Sequence, residues 1–238
     1  MRPGPRRSLT HAEILDVAFD LLEAKGFAAV SIRGVASGLG LTPTALYTYY
    51  PSKNALLRGM VEHLLARLDP GEDGAAGAAG GTDTAGAVGG VGAAAGRARL
   101  LALALRLREL LTGHAGALGL IMSGPLDGPN AMRLNETLLE SFMVAGLELD
   151  DAARAAYALQ VYVLGSIALE SADLDAESEA AEASDRALTT KGAGATLWTD
   201  LATFPLSERT ESVAAQHNST AQFTWGVQRL LDGLIGTS

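Results

Sequence analysis

Between Ser31 and Lys53 the chain has room for two short helices and little else. Ser31 is placed to cap a helix whose apolar positions Ile32, Val35, Ala36 and Leu39 fall on one side, and Gly40 follows where a left-handed backbone would end it. Thr42 and Pro43 then supply the cap and first position of a second helix, which has about two turns before Pro51 stops it. A helix of that length is not stable alone, so its neighbours must hold it, and its outer residues are left for a partner.

The flanks supply those neighbours. Thr10 and Glu13 form a capping box with a Leu9/Ile14 staple, and the helix they start carries Ile14, Ala18, Leu21 and Leu22 on one face before Lys25-Gly26. Ser52 caps a fourth helix with Leu56, Met60, Leu64 and Leu68 on one side. Three helices thus make a small core, and the fourth leads out of it. Tyr47, Tyr49, Tyr50 and Lys53 crowd the end of the second short helix, an arrangement suited to DNA. Tyr50, between a short helix and a proline, is expected to plug the joint. Tyr47 and Tyr49 have two readings from the residues alone: the same plugging role, or contact with nucleic acid.

The spaced set is Ala18 with Leu21-Leu22 and Gly26; Ser31-Ile32-Arg33 with Val35-Ala36; Gly40-Leu41-Thr42; and Leu46-Tyr47-x-Tyr49-Tyr50-x-x-Lys53-x-x-Leu56. It resembles the TetR family of one-component repressors, without a gap from Leu9 to Leu68. The resemblance implies that Arg33 meets a base edge or phosphate at the groove margin, and that Thr42, Pro43, Thr44 and Ala45 open the recognition helix in the major groove. It implies phosphate or thymine-methyl contacts for Tyr47 and Tyr49, and a phosphate contact for Lys53 at the start of the fourth helix. The chain departs from the family's pattern at Tyr50, where Phe is frequent, and at the small Ala45. Thr and Ala offer few bidentate base contacts, so methyl contact and DNA shape would carry much of the specificity.

Charge divides the same way. Residues 1–68 hold 8 Lys and Arg against 5 Asp and Glu, whereas residues 69–238 hold 10 against 22, so +3 faces −12 within a chain of net charge −9. The footprint relevant to nucleic acid is local, and the acidic whole does not argue against it. Arg2, Arg6 and Arg7 precede the first helix, either as a disordered tail or as a groove-tracking arm.

The 238 residues suit one small module and one larger one, and 48% hydrophobic composition is enough for a real core. The lack of cysteine fits a reducing cytoplasm and removes disulfides and thiolate metal sites. No signal peptide is apparent, and no run is read as reaching the ~18 apolar residues of a membrane span, so a cytoplasmic protein is expected. Three segments follow: a DNA-binding head with its connector helix at 1–68, an insertion at 69–96, and a helical ligand-binding and dimerisation domain at 97–238. Pro70 to Gly96 contains 10 Gly and 9 Ala and reads as a mobile tether. A second break is read from Asp173 to Ala195, with six acids between Asp173 and Asp185, as a surface loop.

The rest is helical by periodicity, with stretches expected at Arg97–His114, Ala117–Ser123, Asn130–Ala145, Asp150–Ser171, Ser207–His217 and Thr220–Leu234. No alternating strand pattern occurs, and the fold class is all-α. The last helix puts Phe223, Val227, Leu230, Leu231 and Leu234 on one side, with Gly226 and Gly233 small enough for close approach; the Asp150 helix carries Tyr157, Val161, Leu164, Gly165 and Ala168. Periodicity alone allows an ordinary monomer core there. In the TetR family the corresponding helices form a four-helix dimer interface, and the resemblance therefore implies a homodimer. A mostly apolar small-molecule effector is expected among the helices of the larger domain, with Met60, Leu64, Leu107, Leu111, His114, Met122, Phe142, Tyr162 and Trp198 as candidate contacts. For each of these residues, ordinary core or surface packing is the competing reading.

Catalytic signatures are missing. There is no Gly-x-Ser-x-Gly elbow and no His-Glu-x-x-His, and the histidines at 11, 63, 114 and 217 lack metal spacing. The acidic cluster at 173–185 lacks the glycine and spacing of a calcium loop. No catalytic residue, metal or cofactor is assigned. Two function classes remain: a dimeric regulator, most simply a repressor released from pseudo-palindromic operator DNA by its effector, and a helical ligand-binding or protein-interaction module that binds no specific DNA.

Overall fold

The computed structural model describes residues 9–68, 88–114, 116–187 and 204–236. Over these residues the chain is helical, with no strand among them. The elements are α1 (His11–Lys25), a 3-10 turn (Phe27–Ala29), α2 (Ile32–Gly38), α3 (Pro43–Tyr47), α4 (Lys53–Leu65) with a 3-10 turn (Ala66–Leu68), α5 (Val88–Thr112), α6 (Ala117–Ser123), α7 (Pro129–Val144), α8 (Leu149–Ala187), α9 (Pro205–Ala214) and α10 (Thr220–Ile235). Two compact units divide between Tyr157 and Ala158, inside α8.

The first unit begins with the three-helix head. Ile14, Ala18, Leu22, Val35, Ala36 and Leu46 are fully buried, joined by Leu56 and Met60 of α4. These are the positions that the 3.6-residue period selects. The helix starts follow their caps: Thr10 and Glu13 bond reciprocally across the first turn of α1, and the Ser31, Thr42 and Ser52 hydroxyls accept from the amides of Gly34, Ala45 and Ala55.

α4 is fastened along its length to α7 and the turn before it. The Arg58 guanidinium makes a two-pronged bond to Asp127, 2.6 Å on each side. One turn later the Glu62 carboxylate accepts from the amides of Asn130 (2.6 Å) and Ala131 (3.1 Å), while the Asn130 side-chain amide donates to the Glu62 carbonyl (3.0 Å). The α7 N-cap is Gly128, which has no side chain to offer, so Glu62 caps α7 from a neighbouring helix. A carboxylate is well suited there because it satisfies free amides and faces the positive end of the helix dipole.

The structure corrects two expectations. Residues 88–96, read as tether, are the first turns of α5. Their alanines favour a helix, and the glycines meet a close crossing: a Cβ on Gly96 would lie 2.5 Å from the Ser141 carbonyl oxygen and 2.8 Å from the Ala145 amide nitrogen. Glycine here removes a steric barrier between α5 and α7, and the packing outweighs its low helix propensity. Likewise 173–187, read as loop, continues α8, consistent with its Ala- and Glu-rich sequence. The remainder of the proposed tether and loop, 69–87 and 188–195, lies outside the described residues.

In the second unit Val163, Ile167, Phe223, Val227 and Leu231 are buried, and the Tyr162 and Phe223 rings lie 6.1 Å apart. Gly226 gives room to the Tyr162 hydroxyl. α9 differs in character, with Leu206 and Val213 exposed and Phe204, just before it, exposed as well. Leu149–Ala172 is long and apolar enough to cross a membrane by length and composition alone. Its buried positions Ala152, Ala156, Leu159, Val163 and Ile167 nevertheless form one stripe, the pattern of a helix with a single packed face.

Three outcomes are expected. Gly96→Ala should lower stability by about 1–3 kcal/mol in denaturant titration, because backbone rather than a flexible side chain blocks the added methyl. Glu62→Ala should lose about 1–2 kcal/mol in the same assay by uncapping α7. Arg58, chiefly through its hydrogen bonds, lowers the Asp127 carboxyl below its ordinary value. Their pairing therefore stabilises the fold above the unfolded carboxylate's pKa of ~3.9 and is lost as the pH falls below it. The thermal midpoint of Asp127→Asn should thus lie slightly below that of the wild type at neutral pH, with the two converging in acid.

Candidate nucleic-acid interface

The α2–α3 turn is built by backbone bonds that require Gly40. Its φ is +66°, its amide donates to the Ser37 carbonyl (3.1 Å), and the Leu41 amide donates to the Ala36 carbonyl (2.8 Å). This paired closure ends α2 and points the chain into α3. α3 is only five residues long and is held at two places. Leu46 is fully buried, and both the Tyr49 and Tyr50 amides donate to its carbonyl at 3.0 Å. The Tyr50 ring, 7% exposed, lies over Gly59 of α4, where a Cβ would be 2.9 Å from the ring edge. Burial pushes the Tyr50 hydroxyl pKa up.

With Leu46 and Tyr50 turned inward, other side chains of the segment are left outside. Thr42, Pro43 and Thr44 are exposed, Ala45 and Tyr49 are half-buried, and Tyr47 is 50% exposed. Arg33 of α2 and Lys53 at the first position of α4 are exposed, and among the described residues no ion pair engages either. The Lys53 ammonium sits 5.5 Å from the centre of the Phe27 ring, a cation–π contact that neutralises none of its charge. All eight sequence-predicted DNA contacts therefore have at least part of their surface open. The +3 of the head rests on Arg2, Arg6 and Arg7, which lie outside the described residues; within 9–68 the formal charges balance.

Three of the balancing acids, Asp16, Asp20 and Glu23, line a cleft of about 310 Å³ with Phe19, His63, Leu64, Arg67 and His114. Arg67 approaches the His114 Nε2 at 2.6 Å, and the Nδ1 lies 3.0 Å from Glu23. Arginine has no lone pair to offer, so it donates to Nε2, and Nδ1–H donates to Glu23. His114 thus bridges α1 and the end of the connector.

The other proposed effector contacts differ in burial and belong to different parts of the chain. Met60, Leu64, Leu111 and Phe142 are buried and Leu107 half-buried in the first unit, whereas Met122 is 63% exposed. Tyr162 belongs to the second unit, and Trp198 lies outside the described residues. Of the candidates, only Leu64 and His114 line the cleft.

The proposed dimer residues fall into two sets. Tyr157 (69% exposed), Val161 and Gly165 are open on α8 with Leu164 and Ala168 half-buried beside them, and Leu230 and Leu234 are half-buried on α10. Phe223, Gly226 and Val227 are buried within the chain itself. Leu169 and Trp225 (57% exposed) were missed in the sequence and add to the outward apolar surface. His11 was also missed as a neighbour of the tyrosines: its ring lies edge-on to both Tyr49 and Tyr50.

Comparison with known proteins gives concordant matches at both ends. Residues 14–60 match the model of bacterial regulatory proteins of the tetR family, and 92–237 match the tetracyclin repressor-like C-terminal domain. The head is similar to the transcriptional regulator EthR of Mycolicibacterium smegmatis, 42% identical over 64 residues, 27% of this chain and 30% of that one. A longer match, 30% identical over 163 residues, covers 68% of this chain and 54% of the transcriptional repressor DrrR1 of Streptomyces coeruleorubidus. The chain thus spans about a third to a half of the length of these two relatives. A possible TetR family transcriptional regulator from Streptomyces coelicolor A3(2) has the same fold, with TM-score 0.68, 28% identity, and coverage of 94% of this chain and 98% of that one. With a capped helix-turn-helix whose recognition helix is open to solvent, and a matched C-terminal domain over more than half its length, the chain belongs to the TetR family of transcriptional regulators.

Proposed function

We propose that this chain works as a homodimeric DNA-binding repressor that a small, largely apolar molecule releases from a pseudo-palindromic operator, in the cytoplasm and without catalysis. The observation that carries the reading is α3: a five-residue helix fixed from inside by Leu46 and Tyr50, with Thr42, Pro43, Thr44 and Tyr47 presented outward. A helix held in that way can enter a major groove without first being ordered by it. Arg33, Tyr49 and Lys53 flank it as backbone contacts, which set register, while Thr44 and Ala45 are left to meet bases.

One such head buries too little surface for a specific complex, and two heads about 34–36 Å apart reach successive major grooves. The apolar row Tyr157, Val161, Leu164, Gly165 and Ala168, with Trp225, Leu230 and Leu234 on α10, supports a paired-helix interface between two copies. In this reading Phe223, Gly226 and Val227 shape that surface from behind. The similarity to a protein described as a repressor supports the sign of regulation. An effector shifts the spacing of the heads only by its differential affinity for the two states. The clamps of Arg58 and Glu62 on the α7 region offer a physical route from the effector domain to α4 and the head.

A gel-shift titration against the intergenic DNA beside its own gene tests the proposal. Binding should be specific and salt-dependent. Lys53→Ala should weaken it on all sequences and reduce the salt slope by about one, whereas Tyr47→Ala should weaken it roughly tenfold. Binding of the wild type no tighter than to random duplex would favour the interaction-module alternative. Val161→Glu should shift the sedimentation coefficient to that of a monomer and abolish specific binding together with it.

A further inference from the structure

We infer that His11 is a positioning residue for DNA contact: it acts through Tyr49, holding that ring where its hydroxyl can reach a phosphate. The inference rests on the DNA-binding reading above. His11 is the first residue of α1, whose start is pinned by the reciprocal Thr10–Glu13 cap. Its imidazole meets the Tyr49 ring at 5.7 Å and 79° and the Tyr50 ring at 5.1 Å and 89°, both edge-to-face. Such aromatic contacts are directional, favouring one ring orientation over others.

The three rings differ in what holds them. Tyr50 is buried over Gly59 and cannot move without opening the head. Tyr49 follows α3 and is half-buried, and among the described residues no side-chain hydrogen bond fixes its ring. Its main ring partner is therefore His11, itself braced against the immobile Tyr50. The register of an outer tyrosine is thus set from the start of α1, 38 residues earlier in the chain. An unrestrained ring would lose rotamer freedom on docking, and a ring already held loses less.

The test uses the full chain and the duplex of its neighbouring intergenic region, with affinity measured by fluorescence anisotropy at fixed salt. His11→Ala should bind about three- to tenfold more weakly with an unchanged salt slope, and His11→Phe, which keeps the aromatic edge but has no nitrogen, should restore most of the loss. In a Tyr49→Phe background, where the contacting hydroxyl is already gone, His11→Ala should cost little further. Equal binding by His11→Ala and the wild type would overturn the inference, as would losses that simply multiply in the double variant. Failure of His11→Phe to rescue would overturn it in favour of direct phosphate contact by the imidazole. A thermal midpoint for His11→Ala more than a few degrees below that of the wild type would assign the loss to the fold instead. If the wild type itself shows no specific binding, the functional reading has failed, and a crystal structure of His11→Ala would then test the positioning: a Tyr49 ring in its wild-type orientation would overturn it.

Discussion

The rest of the structure depends on the burial of two side chains, Leu46 and Tyr50, on either side of a surface that stays wet. A five-residue helix has too few internal hydrogen bonds to persist in water. α3 therefore takes its conformation from the cap on Thr42, the left-handed Gly40 that aims it, and the pocket that Leu46 fills. Tyr50 then closes the far end against α4. Because packing on one side suffices, sequence on the other side is free to address a partner. That separation of duties is what makes a small head usable for recognition.

α4 is the element on which the first unit converges. One side of it receives Tyr50 at Gly59 and contributes Leu56 and Met60 to the head core; another carries Arg58 and Glu62 to the start of α7. The head is accordingly not a bead on a string. A displacement of α7 pulls on a carboxylate that caps it, and the cap belongs to the helix under Tyr50. The His114 bridge adds a second attachment, from the α5–α6 turn to α1 and the end of the connector. Both attachments use charge-assisted bonds, which are directional and break over short distances, a property suited to switching between discrete arrangements.

Much of this was legible in the sequence because it is local. Caps at Thr10, Ser31, Thr42 and Ser52, the turn glycine, and the burial of Leu22, Leu46, Leu56 and Leu64 follow from rules that act within one or two turns. What sequence did not show is set by contacts between residues far apart. Gly92 and Gly96 look like linker glycines until α7 is laid across them, and Glu62 looks like a solvated acid until the uncapped end of α7 arrives 68 residues later. The 173–187 stretch was misread for a different reason: its acids suggested a loop, while its alanines and glutamates are among the strongest helix formers. His11 escaped notice because its ring partners are brought to it only by the fold. The effector candidates were the least legible, since apolar periodicity marks core and pocket alike.

A prefolded recognition surface requires α3 to be ordered before DNA arrives, and native-state amide hydrogen exchange of the free protein measures that directly. The amides of Tyr49 and Tyr50, both bonded to the Leu46 carbonyl, should be protected to within about tenfold of those in the middle of α4, as expected of one cooperative unit. Exchange of those two amides at the rate of an unstructured peptide, with α4 still protected, would contradict it.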